Sequence, residues 1–179
     1  MGIPMAADGY ISVWELLVVK DLRRLNTTLD DLRSIVDDCP KQRFQLRERS
    51  EEEIYIRATQ GHSMKEVKSE ELLTPITLQE VKDGKYPWAI HGTYHKAMAE
   101  IQRSGGLSPM SRTHIHFSSQ PFGSKDMISG MRSNAQVLLY ADLEAAISAG
   151  HKFWISNNGV ILCDSALLPL IYLRTTKTA

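Results

Sequence analysis

The sequence predicts an α+β protein with two lobes, residues 1–85 and 86–179. In the first lobe, apolar residues recur first at helical spacing and then with a period of two. In the second, short strand-like and helix-like segments alternate along the chain. An acidic, turn-rich segment, Glu70–Lys85, lies between them and ends at Tyr86-Pro87. The 179 residues are enough for two small lobes.

The composition is that of a folded chain without a polycationic tail. Hydrophobic residues make up 42% of the chain, and 21 basic residues balance 21 acidic ones. Residues 1–85 carry 13 basic and 16 acidic side chains, whereas residues 86–179 carry 8 and 5, so a local positive site remains compatible with overall neutrality.

The longest apolar run has eight residues and contains Pro169, too short to span a membrane. No secretory signal opens the sequence, and we expect an intracellular protein, cytoplasmic or nuclear.

Two helices are predicted at the start of the first lobe. The first covers Ser12–Leu25, and the second follows Thr28, which has the hydroxyl of a helix cap, and stops before Pro40. Their apolar faces consist of Val13, Leu16, Leu17, Leu22, Leu29, Leu32, Ile35 and Val36.

A β-hairpin is predicted next, with strands at 43–47 and 54–57 around a polar turn at 48–53. Strict alternation places Phe44, Leu46, Ile54 and Ile56 on its buried face. The other face is basic and aromatic, with Arg43, Gln45, Arg47, Tyr55 and Arg57. Two helices followed by a hairpin resemble a winged-helix module. Such a module has a further helix in front, so we expect the sequence to be truncated at its start.

The second lobe is predicted as a mixture of strands and short helices. We expect strands at Trp88–His91, Thr113–Phe117, Gln136–Tyr140 and Gly159–Leu162, a helix opened by Gly92-Thr93 and stopped by Gly105, and a short helix within Ala141–Gly150.

Histidine spacing raises the question of a metal site. His91 and His95 are four residues apart, and His114 and His116 share one strand face. No acidic or cysteine ligand stands beside either pair, so no metal is expected. The only cysteines, Cys39 and Cys163, do not form a disulfide framework.

Several cationic groups could instead bind an anion. Arg112, His114 and His116 fall on one face of a strand, and Ser129-Gly130-Met131-Arg132 joins glycine-flanked donors to a fixed charge. A solvated polar face is the alternative for each cluster taken alone.

Six motifs occur in a specific order: KQRF at 41–44, IRATQGHS at 56–63, HGT at 91–93, SPMSRTHIHF at 108–117, SGMR at 129–132 and NNGVIL at 157–162. Together with Asp8-Gly9-Tyr10 they resemble the NAD-dependent RNA 2′-phosphotransferase family almost from end to end.

The resemblance implies an N-terminal winged-helix RNA lobe and a C-terminal ADP-ribosyltransferase-like lobe that binds NAD as co-substrate. Members of the family remove the splice-junction 2′-phosphate of tRNA. The phosphate attacks the nicotinamide ribose, nicotinamide leaves, and a ribose hydroxyl then attacks the phosphorus. The products are 2′-hydroxyl RNA, nicotinamide and ADP-ribose 1″,2″-cyclic phosphate. We expect the chain to act on spliced tRNA or another 2′-phosphorylated RNA as a monomer.

The resemblance also implies roles for individual residues. Arg43 and Arg112 match catalytic positions that clamp the RNA 2′-phosphate. The NAD site is implied at His91, Gly92, Thr93, His116, Ser129, Gly130, Arg132 and Val160, with His114 nearby. Separately from the resemblance, the cationic and hydrogen-bonding groups around the hairpin predict RNA contacts at Lys41, Arg47, Arg57 and His62, with a solvated surface as the alternative.

One departure from the family pattern bears on activity. The family has an adjacent arginine and histidine on a helix before the segment matching Gly2-Ile3-Pro4, and the sequence begins after that helix. It contains no Arg-His dipeptide. Two alternatives therefore stand beside the phosphotransferase: an ADP-ribosyltransferase that caps RNA and stops after the first step, and a non-catalytic protein that binds RNA or NAD.

Overall fold

The computed structural model describes residues 3–6, 8–59, 73–121, 124 and 134–177. It divides into two compact units, Met1–Leu72 and Leu73–Ala179. This division lies inside the segment expected to be a connector, near its start, because Leu73–Pro75 forms strand β4 of the second unit's sheet and Leu78–Lys82 forms helix α4. The expected boundary at Lys85 therefore falls inside the second unit.

The first unit combines short helices with a small antiparallel sheet. Its elements are β1 (Ile11–Ser12), α1 (Val13–Leu17), α2 (Lys20–Arg24), α3 (Leu29–Asp37), β2 (Phe44–Glu48) and β3 (Ile54–Ala58). The strand order is β1-β3-β2. The predicted hairpin is confirmed, with Phe44 opposite Ala58 and Glu48 opposite Ile54. The single helix expected over Ser12–Leu25 is instead two helices, separated at Val18 and Val19, whose β-branched side chains favour helices less than leucine does.

Helix α3 starts where the sequence predicts. The Asp31 N–H donates to Thr28 Oγ1 at 3.2 Å, and the Thr28 N–H donates to the Asp31 carboxylate at 2.8 Å. This reciprocal capping box satisfies two N–H groups that the helix itself leaves unbonded.

The core of the first unit contains Val13, Leu32, Ile54 and Ile56. Leu46 packs against it from β2. Two residues predicted to be buried are exposed: Phe44 by 40% and Ile35 by 52%. Phe44 opens an edge strand, and Ile35 lies at the margin of the apolar stripe formed by Leu32 and its neighbours.

The second unit is built on a seven-stranded antiparallel sheet with the order β12-β8-β5-β7-β10-β9-β4. Its strands are β5 (Ile90–Thr93), β7 (Ile115–Ser118), β8 (Val137–Ala141), β9 (Phe153–Ser156), β10 (Val160–Cys163) and β12 (Leu173–Lys177), with β4 at one edge. Strands β6 (Gly106–Leu107) and β11 (Leu168–Pro169) form a separate pair. The helices are α4, α5 (His95–Ser104), α6 (Leu143–Ser148) and a 3-10 helix at Leu170–Tyr172. The mixed architecture confirms the α+β class.

Strand β5 extends further than predicted. Gly92 and Thr93 were expected to open a helix, but they pair with Leu138 and Val137 of β8. The helix, α5, begins only at His95. Its predicted end is confirmed, because Gly105 has φ +79° and ends the helix in the left-handed region that glycine favours.

The sheet is apolar on both faces. The larger cluster includes Phe117, Leu139, Phe153 and Ile161. A smaller cluster contains Ile90, Ala135 and Leu138, with Tyr140 packed against it. Within the described residues, no helix is both long and apolar enough to cross a bilayer.

Candidate functional site

Two neighbouring strands of the second unit bring His91 and His116 together. His91 Nδ1 lies 3.0 Å from the His116 carbonyl oxygen, and His116 Nδ1 lies 2.9 Å from the His114 carbonyl oxygen. A carbonyl oxygen can only accept, so each Nδ1 carries the proton and donates. In a neutral imidazole the other nitrogen, Nε2, is then an acceptor. The backbone thus fixes both rings in the same tautomer.

Burial keeps both imidazoles neutral. It lowers the pKa of His116 to about 4, with a further contribution from the positive charge of Arg112. Burial and the same arginine also lower the pKa of His91, although the bond to the His116 carbonyl opposes the shift. At neutral pH, Nε2 of each ring is an uncharged acceptor.

The acceptor on His116 is the unusual feature of this pair. Its Nε2 is buried and has no hydrogen bond to any described residue. A buried polar atom without a partner costs about 1–3 kcal/mol, and such atoms are uncommon in native structures. The arrangement fits a ligand that brings a hydroxyl or N–H donor.

Arg112 supplies positive charge next to these acceptors. Its side chain is exposed, and its guanidinium forms no hydrogen bond or ion pair with a described residue. Its backbone N–H donates to the Pro109 carbonyl at 3.1 Å, which closes the turn before β7. Met110 within that turn has φ +58°, a strained value for a side-chain-bearing residue. A free guanidinium on a tight turn beside two neutral acceptors suits a ligand with both an anionic group and hydroxyls.

The β9–β10 turn supports the strand next to His116. Ser156 Oγ accepts the Val160 N–H at 3.0 Å and donates to Asn158 Oδ1 at 2.7 Å. Val160 is fully buried and pairs with Ser118, and Leu162 pairs with His116. Sequence reasoning singled out Val160 but missed Ser156 and Asn158, for which the turn residues Asn157-Asn158-Gly159 were the available signal.

His114 is half-buried near this site. Its Nδ1 lies 2.9 Å from Thr113 Oγ1, and its ring lies edge-on to Trp154 at 5.9 Å. Burial lowers its pKa, while the charge of Asp164 acts in the opposite direction. Its polar contacts are therefore local.

Arg43 is the exposed arginine at the start of β2 in the first unit. Two bonds from Thr59 fix the backbone around it: the Thr59 N–H donates to the Arg43 carbonyl at 2.9 Å, and Thr59 Oγ1 donates to the Gln42 carbonyl at 3.0 Å. The Arg43 guanidinium has no hydrogen bond or ion pair to a described residue. Its backbone N–H, and secondarily its charge, help lower the pKa of the Cys39 thiol. Like Arg112, Arg43 presents donors that no described residue engages, and its backbone is held in place.

Arg47 and Arg57 are held very differently. Arg57 Nε and Nη2 donate to Gln45 Oε1 at 3.0 and 2.7 Å, and its Nη1 donates to the Asp8 carbonyl at 3.2 Å. Arg47 Nη1 donates to the Asp8 carboxylate at 3.2 Å, and its buried Nε has no described partner. Both guanidinium carbons lie over the Tyr10 ring, at 3.9 and 4.5 Å. Sequence reasoning missed the roles of Asp8, Tyr10 and Gln45, which depend on contacts distant in sequence.

The RNA 2′-phosphotransferase, Tpt1 / KptA family model matches residues 1–165. The chain belongs to this family. It is 40% identical to tRNA 2′-phosphotransferase 1 of Danio rerio over 99% of this chain and 78% of the relative. It is 38% identical to tRNA 2′-phosphotransferase of Saccharomyces cerevisiae over 92% of this chain and 71% of the relative. It is 32% identical to the probable RNA 2′-phosphotransferase of Burkholderia pseudomallei over 97% of this chain and 85% of the relative.

This membership of the RNA 2′-phosphotransferase family confirms the resemblance carried by the six motifs, all of which lie inside the matched range. The structure brings His91, Gly92, Thr93 and His116 together on β5 and β7. His62, Ser129, Gly130 and Arg132 lie outside the described residues, and Lys41 is half-buried before β2. Among the described residues, no group of three or more His, Cys, Asp or Glu side chains could hold a metal ion.

Proposed function

We propose that this chain is an NAD-dependent RNA 2′-phosphotransferase that removes the splice-junction 2′-phosphate of tRNA. The products are 2′-hydroxyl RNA, nicotinamide and ADP-ribose 1″,2″-cyclic phosphate. Membership of the family supports this reaction. The observation that carries it is the pair of neutral histidines beside the Arg112 guanidinium, since neither that guanidinium nor the buried His116 Nε2 is bonded to any described residue.

In this proposal the first unit is a winged-helix-like RNA lobe and the second is an ADP-ribosyltransferase-like NAD lobe. The helices and hairpin of the first unit support its assignment. The histidine acceptors on the central strands support that of the second. The chain acts as an intracellular monomer, in the cytoplasm or nucleus.

The residues of the second unit fit NAD through its ribose hydroxyls. A hydroxyl donates to an uncharged imidazole nitrogen, and such a donor would satisfy the buried Nε2 of His116. His91, Gly92 and Thr93 hold the same ligand along β5, with Val160 closing the site from β10. Ser129, Gly130 and Arg132 complete it. When bound, NAD supplies the ribose carbon that accepts the phosphate, with nicotinamide as leaving group.

Arg43 and Arg112 bind the RNA 2′-phosphate. A guanidinium matches a phosphate with two parallel N–H donors and keeps its charge at every physiological pH. Their donors are not engaged by described residues, so no ion pair to that part of the chain has to break before the phosphate binds. Negative charge that develops on the phosphate during transfer is stabilised by these two fixed guanidinium groups. Preorganised electrostatic stabilisation of this kind is usually the largest contribution to the rate enhancement.

The RNA strand also contacts Lys41, Arg47, Arg57 and His62. Arg47 and Arg57 already donate to Asp8 and Gln45. They therefore contribute to RNA binding mainly through the positive charge of this face of the hairpin. Gln45 is uncharged, and the single Asp8 carboxylate does not neutralise both guanidinium groups.

The experiment compares turnover of a 2′-phosphorylated oligoribonucleotide with NAD in the wild type, Arg43→Gln, Arg112→Gln and Arg103→Gln. Arg103 is an exposed arginine of α5 paired with Glu100, and it serves as the matched control. Loss of either phosphate-binding arginine is expected to reduce turnover by about 100-fold or more, while Arg103→Gln turns over normally. Near-normal turnover in Arg112→Gln would contradict the assignment. Accumulation of ADP-ribosylated RNA in the wild type would instead identify an RNA-capping enzyme.

A further inference from the structure

An aromatic pair made of an exposed tryptophan and a half-buried tyrosine lies on the second unit, outside the histidine site. Trp88 precedes β5 and is 42% exposed. Its ring packs edge to face against Tyr140 of β8, with centroids 6.0 Å apart and planes at 68°. The Ala141 N–H donates to the Ala89 carbonyl at 2.8 Å, which holds the chain around Trp88 alongside β8.

An arginine lies next to this pair on the neighbouring strand. Arg174 of β12 is directly opposite Tyr140, and directly opposed residues of an antiparallel pair point to the same face. Its side chain is 84% exposed, and its ion pair with Asp142 is long, at 3.9 Å. An exposed ion pair of this kind is weak, so the Arg174 guanidinium can leave Asp142 and contact a ligand at little cost in free energy.

Arg174 lies at the edge of the sheet. Strand β12 ends the strand order, and Thr175 and Thr176 beside Arg174 are also exposed. Beneath Tyr140 the buried cluster of Ile90, Ala135 and Leu138 forms a firm base. Small-molecule sites are concave, whereas aromatic and arginine side chains on an open sheet surface are typical of single-stranded nucleic-acid binding.

We propose that Trp88, Tyr140 and Arg174 form a platform on which a base of the RNA substrate stacks while Arg174 contacts the adjoining phosphate. The proposal rests on the proposed function, because it assigns this surface to the RNA of that reaction. Trp88 is three residues before His91 in the sequence, so their backbones are at most roughly 10 Å apart. The platform therefore binds RNA close to the proposed NAD site but separately from it, and the exposed guanidinium beside two aromatic rings favours RNA as its partner.

The test measures binding of a labelled single-stranded oligoribonucleotide with one internal 2′-phosphate, without NAD, by fluorescence anisotropy. The variants are Trp88→Ala, Trp88→Phe and Arg174→Gln. The controls, Ile171→Ala and Arg103→Gln, remove an exposed apolar side chain and an exposed arginine elsewhere in the same unit. NAD binding is measured in parallel, and thermal melting verifies folding.

Trp88→Ala is expected to weaken RNA binding by about 5- to 100-fold, the usual effect of removing one stacked base contact. Trp88→Phe retains most of the affinity because a ring remains. Arg174→Gln lowers the slope of log affinity against log salt by about 0.7, the value for one phosphate contact to a single strand. Both controls, and NAD binding in every variant, stay at wild-type values.

Unchanged RNA affinity in Trp88→Ala and Arg174→Gln, with wild-type RNA binding intact, overturns the platform and leaves the proposed function standing. Weaker NAD binding with unchanged RNA binding also overturns it and assigns the surface to the dinucleotide. If Trp88→Ala does not fold, the salt slope of Arg174→Gln decides. A folded wild type that binds no RNA overturns both proposals.

Discussion

The neutral His116 is expected to make the second unit sensitive to acid, and replacing it with asparagine tests this. Asparagine keeps an N–H donor close to the backbone, where it can reach the His114 carbonyl, but it does not titrate. The pKa of His116 is lowered from 6.5 to about 4 in the folded chain. Between these two values the unfolded chain binds a proton that the folded chain does not, so stability falls as the pH falls from 6.5 towards 4.

The size of the effect follows from the pKa. At 1.36 kcal/mol per pH unit, the change from 6.5 to about 4 corresponds to about 3 kcal/mol of unfolding free energy. That energy is present above pH 6.5 and is lost by about pH 4. In His116→Asn this contribution is absent at every pH, while the other carboxyl and histidine groups titrate in both proteins and largely cancel in the comparison.

The assay is urea unfolding of both proteins at pH 7 and pH 4 in a Trp14→Phe background. In this background the remaining tryptophans, Trp88 and Trp154, both report on the second unit. From pH 7 to pH 4 the histidine protein is expected to lose about 3 kcal/mol more than His116→Asn. Equal losses in the two proteins would refute the reasoning that burial holds this imidazole neutral.

Three further substitutions test other contacts by chemical denaturation. Arg57→Lys is expected to lower the stability of the first unit by about 1–2 kcal/mol, because lysine cannot replace the two donors to Gln45 and the third to Asp8; unchanged stability would contradict a structural role. Thr28→Ala should cost about 1 kcal/mol through loss of the α3 capping box, and an unaltered midpoint would show that the cap contributes nothing. Gly106→Ala should cost about 1–3 kcal/mol or more, since its Cβ would lie 2.2 Å from the Leu168 carbonyl oxygen; wild-type stability would mean that this strand pair relaxes freely.

Local signals in the sequence were sufficient for part of the fold. The hairpin could be predicted because alternation and a polar turn encode it within a few residues. The start of α3 is set by Thr28 and Asp31, three residues apart, and the end of α5 by Gly105. Some of the strands that escaped prediction depend on distant partners, whereas helix α4 was missed despite its local capping box of Thr77 and Glu80. Strand β4 is short and contains Pro75, and it exists as a strand through its pairing with β9.

The site was predictable by residue type but not by geometry. His91, His116 and Arg112 stood out as polar residues in recognisable motifs. The fixed tautomers arise from carbonyl groups placed by the sheet, including that of His116, 25 residues from His91. The bonds from Arg47 and Arg57 to Asp8 span 39 and 49 residues, and no periodicity reveals them. Sequence reasoning therefore identified all four arginines but could not sort them. Arg47 and Arg57 are hydrogen-bonded within the first unit. The guanidinium groups of Arg43 and Arg112 have no bond to a described residue.

The most direct test of the proposed function follows the fate of the phosphate itself. An oligoribonucleotide with one radiolabelled internal 2′-phosphate is incubated with the purified chain, with and without NAD. The proposed function predicts that the label passes, only when NAD is present, into ADP-ribose 1″,2″-cyclic phosphate, with one nicotinamide released for each 2′-hydroxyl formed. Label released as inorganic phosphate without NAD, or label kept on the RNA while nicotinamide is released, would contradict it.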